Sequence, residues 1–185
     1  MAEKLLGKRV AMIIAFRDFR DAEFFIPKEI LERAGADVVA VSTKKGLAIG
    51  ADGGEVRIDV LLGEIKSENF DAIVFIGGTG AIDYLDNQSS YNLAKETLEK
   101  GRILAAICIS PTILANAGVL KGKKATVWSS PFDKNPIRIL KNGGAIYQEA
   151  LVVIDGKIIT ANGPEAAEEF GNVLVSHLTA APLRV

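Results

Sequence analysis

The stretch ILAAICISPTILANAGVL, residues 103–120, decides the fold. Its 18 residues carry no charge, which puts it at the lower limit of a membrane span. It also holds Ser110, Pro111, Thr112, Asn116 and Gly118. Pro111 breaks a continuous helix in mid-bilayer. A buried strand, a sharp turn and a helix starting near Pro111 take the same residues without strain. The reading is therefore a strand over Ile103 to Ile107, a turn, and a helix from about Pro111 to Ala117. A wholly apolar strand running straight into a helix belongs to a parallel sheet covered on both faces.

The same grammar extends outward. Arg9 to Ala15 reads as a strand, Ala22 to Ala34 as a helix stopped by Gly35, and Asp37 to Ser42 as the next strand. Ala72 to Ile76 is a strand running into Gly77-Gly78-Thr79-Gly80, and Tyr91 to Lys100 is a helix stopped by Gly101. Between Thr43 and Asp59 the helical period disappears, and Gly46, Gly50, Gly53 and Gly54 punctuate short extended pieces, predicting a hairpin hung on the sheet edge. Lys124 to Trp128 reads as a strand, Asn135 to Leu140 as a short helix and Ala145 to Tyr147 as an extended piece. Asp155-Gly156 between β-branched runs predicts a type I′ hairpin, with positive φ at both central residues. A last helix runs from about Pro164 to Leu178. Residues 1–185 make one α/β domain, a mostly parallel sheet with helices on both faces.

Composition narrows the function classes. Lys+Arg 22 against Asp+Glu 23 leaves a formal charge of −1, so no bulk field holds a phosphate backbone or an anionic membrane. Neither nucleic acid nor membrane is expected as a partner. The one cysteine, Cys108, forms no internal disulfide, and with one histidine, His177, no Cys/His metal cluster is expected. No metal or other cofactor is implied. The expected compartment is a reducing cytoplasm. The start, MAEKLLGKRVAMIIAF, mixes Glu3 into its basic region and offers no small-x-small cleavage site before Arg17-Asp18, so it reads as a first strand.

The sharpest chemical feature is Ala106-Ile107-Cys108-Ile109-Ser110, small-x-nucleophile-x-small where strand meets helix. A nucleophile elbow needs small residues two positions either side, because the strained turn brings those backbones together and pushes the central side chain out above the sheet. Near a helix N-terminus the thiolate is favoured, so Cys108 is expected to have a depressed pKa. The competing reading is a small hydrophobe in an apolar strand. Gly77-Gly78-Thr79-Gly80 lies at a strand's C-terminal end, where bare backbone N–H groups can serve an oxyanion hole; it lacks the spacing of a dinucleotide fingerprint. Glu23, set among Phe24, Phe25 and Ile26 at the start of the first helix, is a desolvated carboxyl that tends to keep its proton and can donate a hydrogen bond to a thiolate, stabilising it.

These residues form a set that resembles the ThiJ/PfpI superfamily, also called the DJ-one family. The matching pieces are DAEFFIPKEILERAGADV at 21–38, VFIGGTGA at 74–81, ILAAICISPTILANAGVLKGKKAT at 103–126 and NGPEAAEEFG at 162–171. The resemblance implies a flavodoxin-like α/β sandwich of the class I glutamine amidotransferase-like kind, usually a homodimer and in some members a hexamer. It implies Cys108 as nucleophile, Glu23 as its protonated hydrogen-bond partner, and backbone N–H groups from Gly78 and Ile109, with Gly77, Ser110 and Trp128 about the pocket.

Two positions depart from the family pattern. Family peptidases carry a histidine directly after the cysteine, where this chain has Ile109, and other members have one about twenty residues downstream, where it has Trp128. His177 sits late in the last helix and is expected to be a surface or packing residue. A Cys–His peptidase protonates its leaving amine with imidazole, and this chain lacks that group at both positions. The reading that needs only Cys108 and Glu23 is addition of the thiolate to a small α-oxoaldehyde or a glycated substrate, as in a glyoxalase or deglycase. The alternatives are an intracellular cysteine peptidase of the PfpI type and a stress chaperone with an oxidisable Cys108.

Overall fold

The computed structural model describes residues 4–180. Its centre is a seven-stranded sheet. The strands are β1 (Arg9–Ile13), β3 (Asp37–Ser42), β6 (Val60–Leu61), β7 (Ala72–Phe75), β8 (Ile103–Ile107), β11 (Val152–Asp155) and β12 (Ile158–Ala161), in the order β11-β12-β8-β7-β1-β3-β6. Every neighbouring pair is parallel except β11 with β12. Parallel strands need a crossover for each return, and the crossovers cover both faces. β7, β8 and β12 are accordingly buried at every residue.

Alternation along these strands divides the core. Val10, Met12, Val74, Ile76, Ala105 and Ile107 face one layer with Phe24, Leu31, Phe170, Leu174 and Leu178, carried by α1 (Asp21–Arg33) and α6 (Ala167–Ala180). Ala11, Ile13, Ile73, Phe75, Leu104 and Ala106 face the other. That layer is built by α2 (Gly80–Leu85), α3 (Gln88–Glu99), α4 (Pro111–Asn116) and α5 (Asn135–Asn142). The period-two alternation of strand side chains is what lets one run of apolar residues serve two cores. This is the flavodoxin-like sandwich expected. Residues 103–120 are the predicted strand, turn and helix, and no helix among the described residues is long and apolar enough to cross a membrane.

Three local expectations need correction. The glycine-punctuated hairpin, β4 (Gly46–Gly50) and β5 (Glu55–Ile58), does not extend the main sheet; with β2 (Arg17–Phe19) it forms a separate three-stranded sheet in the order β2-β4-β5. It is fastened to α1 through Asp21, whose carboxylate oxygens accept from Asp52 N at 2.8 Å and Gly54 N at 2.6 Å. The strand expected over Lys124 to Trp128 stops at Ala125: β9 (Lys124–Ala125) pairs with β10 (Ile146–Tyr147) in a two-stranded sheet apart from the main one. Thr126 N then donates to Thr160 Oγ1 at 2.9 Å, and the chain leaves to pass over the site. Finally, Asp155 pairs with Ile158, so Gly156 and Lys157 are the central turn residues and only Gly156 has positive φ (61°). That is the II′ pattern rather than I′.

Candidate active site

The carboxyl ends of β7 and β8 meet at the middle of the sheet, and Cys108 follows β8 directly. Its φ is +65°, and only one other non-glycine described residue, Asp18, has positive φ. A left-handed conformation at a residue with a Cβ costs on the order of 1–3 kcal/mol and persists only where neighbours over-determine it. Here they do. Cys108 N donates to Ala161 O on β12 at 2.9 Å, and Cys108 O accepts from Trp128 N at 2.8 Å. The small flanking residues act as the elbow requires: Ala106 is fully buried on the sheet, and Ser110 Oγ donates to Ile76 O at 2.8 Å, tying the turn to the end of β7.

The glycine loop after β7 lies directly against this turn. A Cβ placed on Gly77 would fall 2.5 Å from Cys108 Cβ and 2.7 Å from Glu23 Oε2. Gly78 has φ +109°, and a Cβ there would lie 2.4 Å from Arg20 N. Only glycine lets three segments close to this distance. Gly77 N donates to Glu23 Oε2 at 3.1 Å, while Glu23 Oε1, also buried, has no hydrogen-bond partner among the described residues.

Glu23 is fully buried. Its carboxyl is pushed up from 4.5 to about 7, by desolvation first, against the opposing pulls of the Cys108 thiol, the Arg20 charge and Gly77 N–H. The direction matches the expected protonated partner. The expectation for the thiol does not hold. Burial pushes Cys108 up to about 12, and an ionised Glu23 adds to the rise; backbone N–H groups of Gly78 and Ile109 pull the other way without overcoming it. The helix credited with favouring the thiolate, α4, has six residues, too short a dipole to offset removal of the thiol from water. Two anions do not share so dry a contact, so the pair keeps at least one proton through the neutral range.

The thiol opens onto a cleft of about 190 Å³ lined by Arg20, Gly78, Thr79, Ile82, Cys108, Ile109, Trp128 and Pro164. That is below the usual volume of a pocket for a drug-sized ligand and suits a molecule of a few heavy atoms. Of the sequence candidates, Cys108, Gly78, Ile109 and Trp128 line this cleft. Gly77 and Ser110 do not: they lie beneath it, Gly77 against Glu23 and Ser110 bound to Ile76. Trp128 has two attachments, its backbone on Cys108 and its indole against Gly163, where a Cβ would be 3.5 Å from Cδ1. His177 Nδ1 contacts Val173 O, one turn back on α6, at 2.9 Å and takes no part in the cleft.

The sequence reading missed Arg20, Ile82 and Pro164, and named Thr79 only as part of the glycine loop. Arg20 carried a usable signal: a cation at the N-cap of α1, just ahead of Asp21 and Glu23, opposes the helix dipole and supplies no side-chain cap. A locally unfavourable residue is where function is to be sought.

Comparison with known proteins bears on the fold and the family. An uncharacterized protein of Methanocaldococcus jannaschii is 42% identical over 170 residues, 91% of this chain and 82% of its own length. A protein of Pyrococcus furiosus named deglycase PfpI is 30% identical over 153 residues, 83% of this chain and 89% of its own. Among solved structures, a ThiJ/PfpI domain protein from Brachyspira murdochii superposes with a TM-score of 0.89 at 32% identity, covering 96% of this chain and 99% of the other. Drosophila melanogaster DJ-1beta gives 0.82 at 27% identity, covering 95% and 92%. The DJ-1/PfpI family pattern itself matches residues 8–177. With that span and those relatives, the chain belongs to the DJ-1/PfpI family.

Proposed function

We propose that the protein is a deglycase- or glyoxalase-like enzyme acting on small α-oxoaldehydes, free or as adducts. The observation that carries this reading is the pairing of a strained, cleft-facing thiol with a buried carboxyl whose pKa is about 7, close to the value at which one group both takes and returns a proton at neutral pH. Relatives named deglycases, at 29–32% identity, support it.

The chemistry follows from these two groups. Sγ of Cys108 bonds to the aldehyde carbon while ionised Glu23 takes the thiol proton; the carbonyl π pair moves onto oxygen, which receives that proton back from Glu23, giving a hemithioacetal and leaving Glu23 ionised. Backbone N–H groups of Gly78 and Ile109 face the reacting sulfur and stabilise charge there. Glu23 then removes the proton from that carbon, giving an enediolate, and returns it to the neighbouring carbon while the hydroxyl proton passes from the first oxygen to the second, leaving a thioester. Water hydrolyses the thioester to a 2-hydroxy acid and restores the thiol. The balance is oxoaldehyde plus water to hydroxy acid, with no external oxidant or reductant. Amide hydrolysis needs an acid for the leaving amine, and Ile109 and Trp128 supply none.

The test is lactate formed from methylglyoxal. Wild type is expected to produce it. Cys108→Ala should lose at least about a thousandfold, and Glu23→Gln on the order of 10² to 10⁴. Cysteine-dependent cleavage of fluorogenic peptides without lactate formation would replace this reading with a peptidase.

A further inference from the structure

We propose that Arg20 is a carboxylate subsite at the mouth of the cleft, so that the preferred substrate is an α-oxoaldehyde bearing an anionic group on its far end. The choice of substrate class rests on the reading above; the subsite itself does not. Arg20 is the one charged side chain among the residues lining the cleft. Its backbone is fixed to the floor of the site: Arg20 N donates to Gly77 O at 3.0 Å, and Arg20 O accepts from Phe24 N at 3.3 Å. Gly78 packs against the same nitrogen. The side chain thus starts from a rigid point next to the thiol loop, and its charge is felt at Glu23.

The guanidinium is under-used. Among the described residues its hydrogen-bond partner is Asp52, with Nη1 to Oδ2 at 3.5 Å, and the two side chains are 35% and 60% exposed. A long, exposed contact of this kind is weak, and five N–H donors are available on the fork. Asp52 comes from the β4–β5 hairpin, which Asp21 fastens to α1, so the acid holds the guanidinium at the mouth without satisfying it. Beside Arg20 the lining has one hydroxyl, on Thr79, and an apolar wall of Ile82, Ile109, Trp128 and Pro164. A cation at the entrance, an apolar wall and a thiol at the floor fit a short hydrocarbon with a carbonyl at one end and a carboxylate at the other. Arg is the side chain suited to bidentate capture of a carboxylate.

Two reagents of equal size separate charge from fit. Iodoacetate and iodoacetamide both alkylate Cys108 by displacing iodide, and the ratio of their rates at one pH cancels the thiolate content. Wild type is expected to favour iodoacetate relative to the urea-unfolded chain. Arg20→Gln should lower the ratio roughly tenfold, the effect of one charge-assisted hydrogen bond discounted for exposure. Arg20→Lys should keep part of it, and Asp52→Asn should raise it. A ratio that Arg20→Gln leaves unchanged overturns the subsite.

Turnover forms a second arm, comparing 4,5-dioxopentanoate with methylglyoxal. The ratio of their kcat/KM values should fall in Arg20→Gln through KM for the anionic substrate. If neither compound is turned over while the alkylation ratio still depends on Arg20, the subsite stands and the oxoaldehyde reading fails. If both are turned over and Arg20→Gln moves neither ratio, the reading stands and the subsite fails.

Discussion

The sheet buries a carboxyl at each end, and the two are treated differently. At the amino ends of β1 and β7, Asp71 is 4% exposed and faces the ammonium of Lys8 at 3.8 Å, with Arg9 N donating to its Oδ2 at 2.8 Å. At the carboxyl ends, Glu23 is fully buried, receives one backbone donor, and among the described residues has no ion pair, only the more distant charge of Arg20. A compensated carboxylate is a structural clamp, since burial cost and attraction roughly cancel. An under-compensated one holds a proton near neutrality and is available for chemistry. The chain packs both ends with the same kinds of strand, and only the partners around the acid distinguish scaffold from site.

The largest effect should come from the scaffold end. Asp71→Ala takes a counter-charge from a lysine whose side chain is 5% exposed, and breaking such a buried pair costs about 3–5 kcal/mol. Urea unfolding should show this loss at pH 7, while the pH profile of Cys108 alkylation stays that of wild type. A changed profile would mean that the two ends are coupled and the contrast is false.

Glu23→Gln should act in the opposite direction. The folded-state pKa of Glu23 is about 7 against an ordinary 4.5, so between those values the folded chain holds more protons than the unfolded one. Wild-type stability therefore falls as pH rises through that window, by roughly 3 kcal/mol in all. The Gln variant lacks this term: it should be the more stable protein at pH 8, with its advantage shrinking toward pH 4.5. Removing the anion beside the thiol should also bring the Cys108 pKa down from about 12, so alkylation at pH 8 should be faster in the variant. Slower alkylation would place the shared proton on Glu23 and the charge on sulfur.

Gly77→Ala should give the smallest loss of stability, about 1–3 kcal/mol from overpacking. The added methyl meets Cys108 Cβ, Glu23 Oε2 and the Ile107 carbonyl within 3 Å, so the alkylation profile should shift more than the unfolding midpoint does. An unchanged profile would show that the loop yields and that the closeness of the three segments is not needed to couple acid and thiol.

Much of this was legible in the residues. Residues 103–107 are a strand because five consecutive apolar side chains fit only a position buried on both faces, and Pro111 starts the helix after it because its missing N–H costs nothing there. The elbow was legible because its steric demand, small residues on either side of a nucleophile, is written in adjacent positions. β2, β6 and α2 were not, since elements of two to six residues are too short to establish a period.

What only the tertiary structure decided are quantities set by neighbours distant in the chain. Burial reversed the expected shift of the Cys108 thiol, because desolvation depends on everything packed around a group and the six-residue helix that sequence pointed to is a local term. The β4–β5 hairpin meets Arg20 of the cleft through Asp52 and α1 through Asp21, contacts between residues more than thirty positions apart. Sequence determines which side chains are available and where local strain is affordable; the charge state of a buried pair is set by the total field and solvation at one point in space, and that point exists only once the sheet has formed.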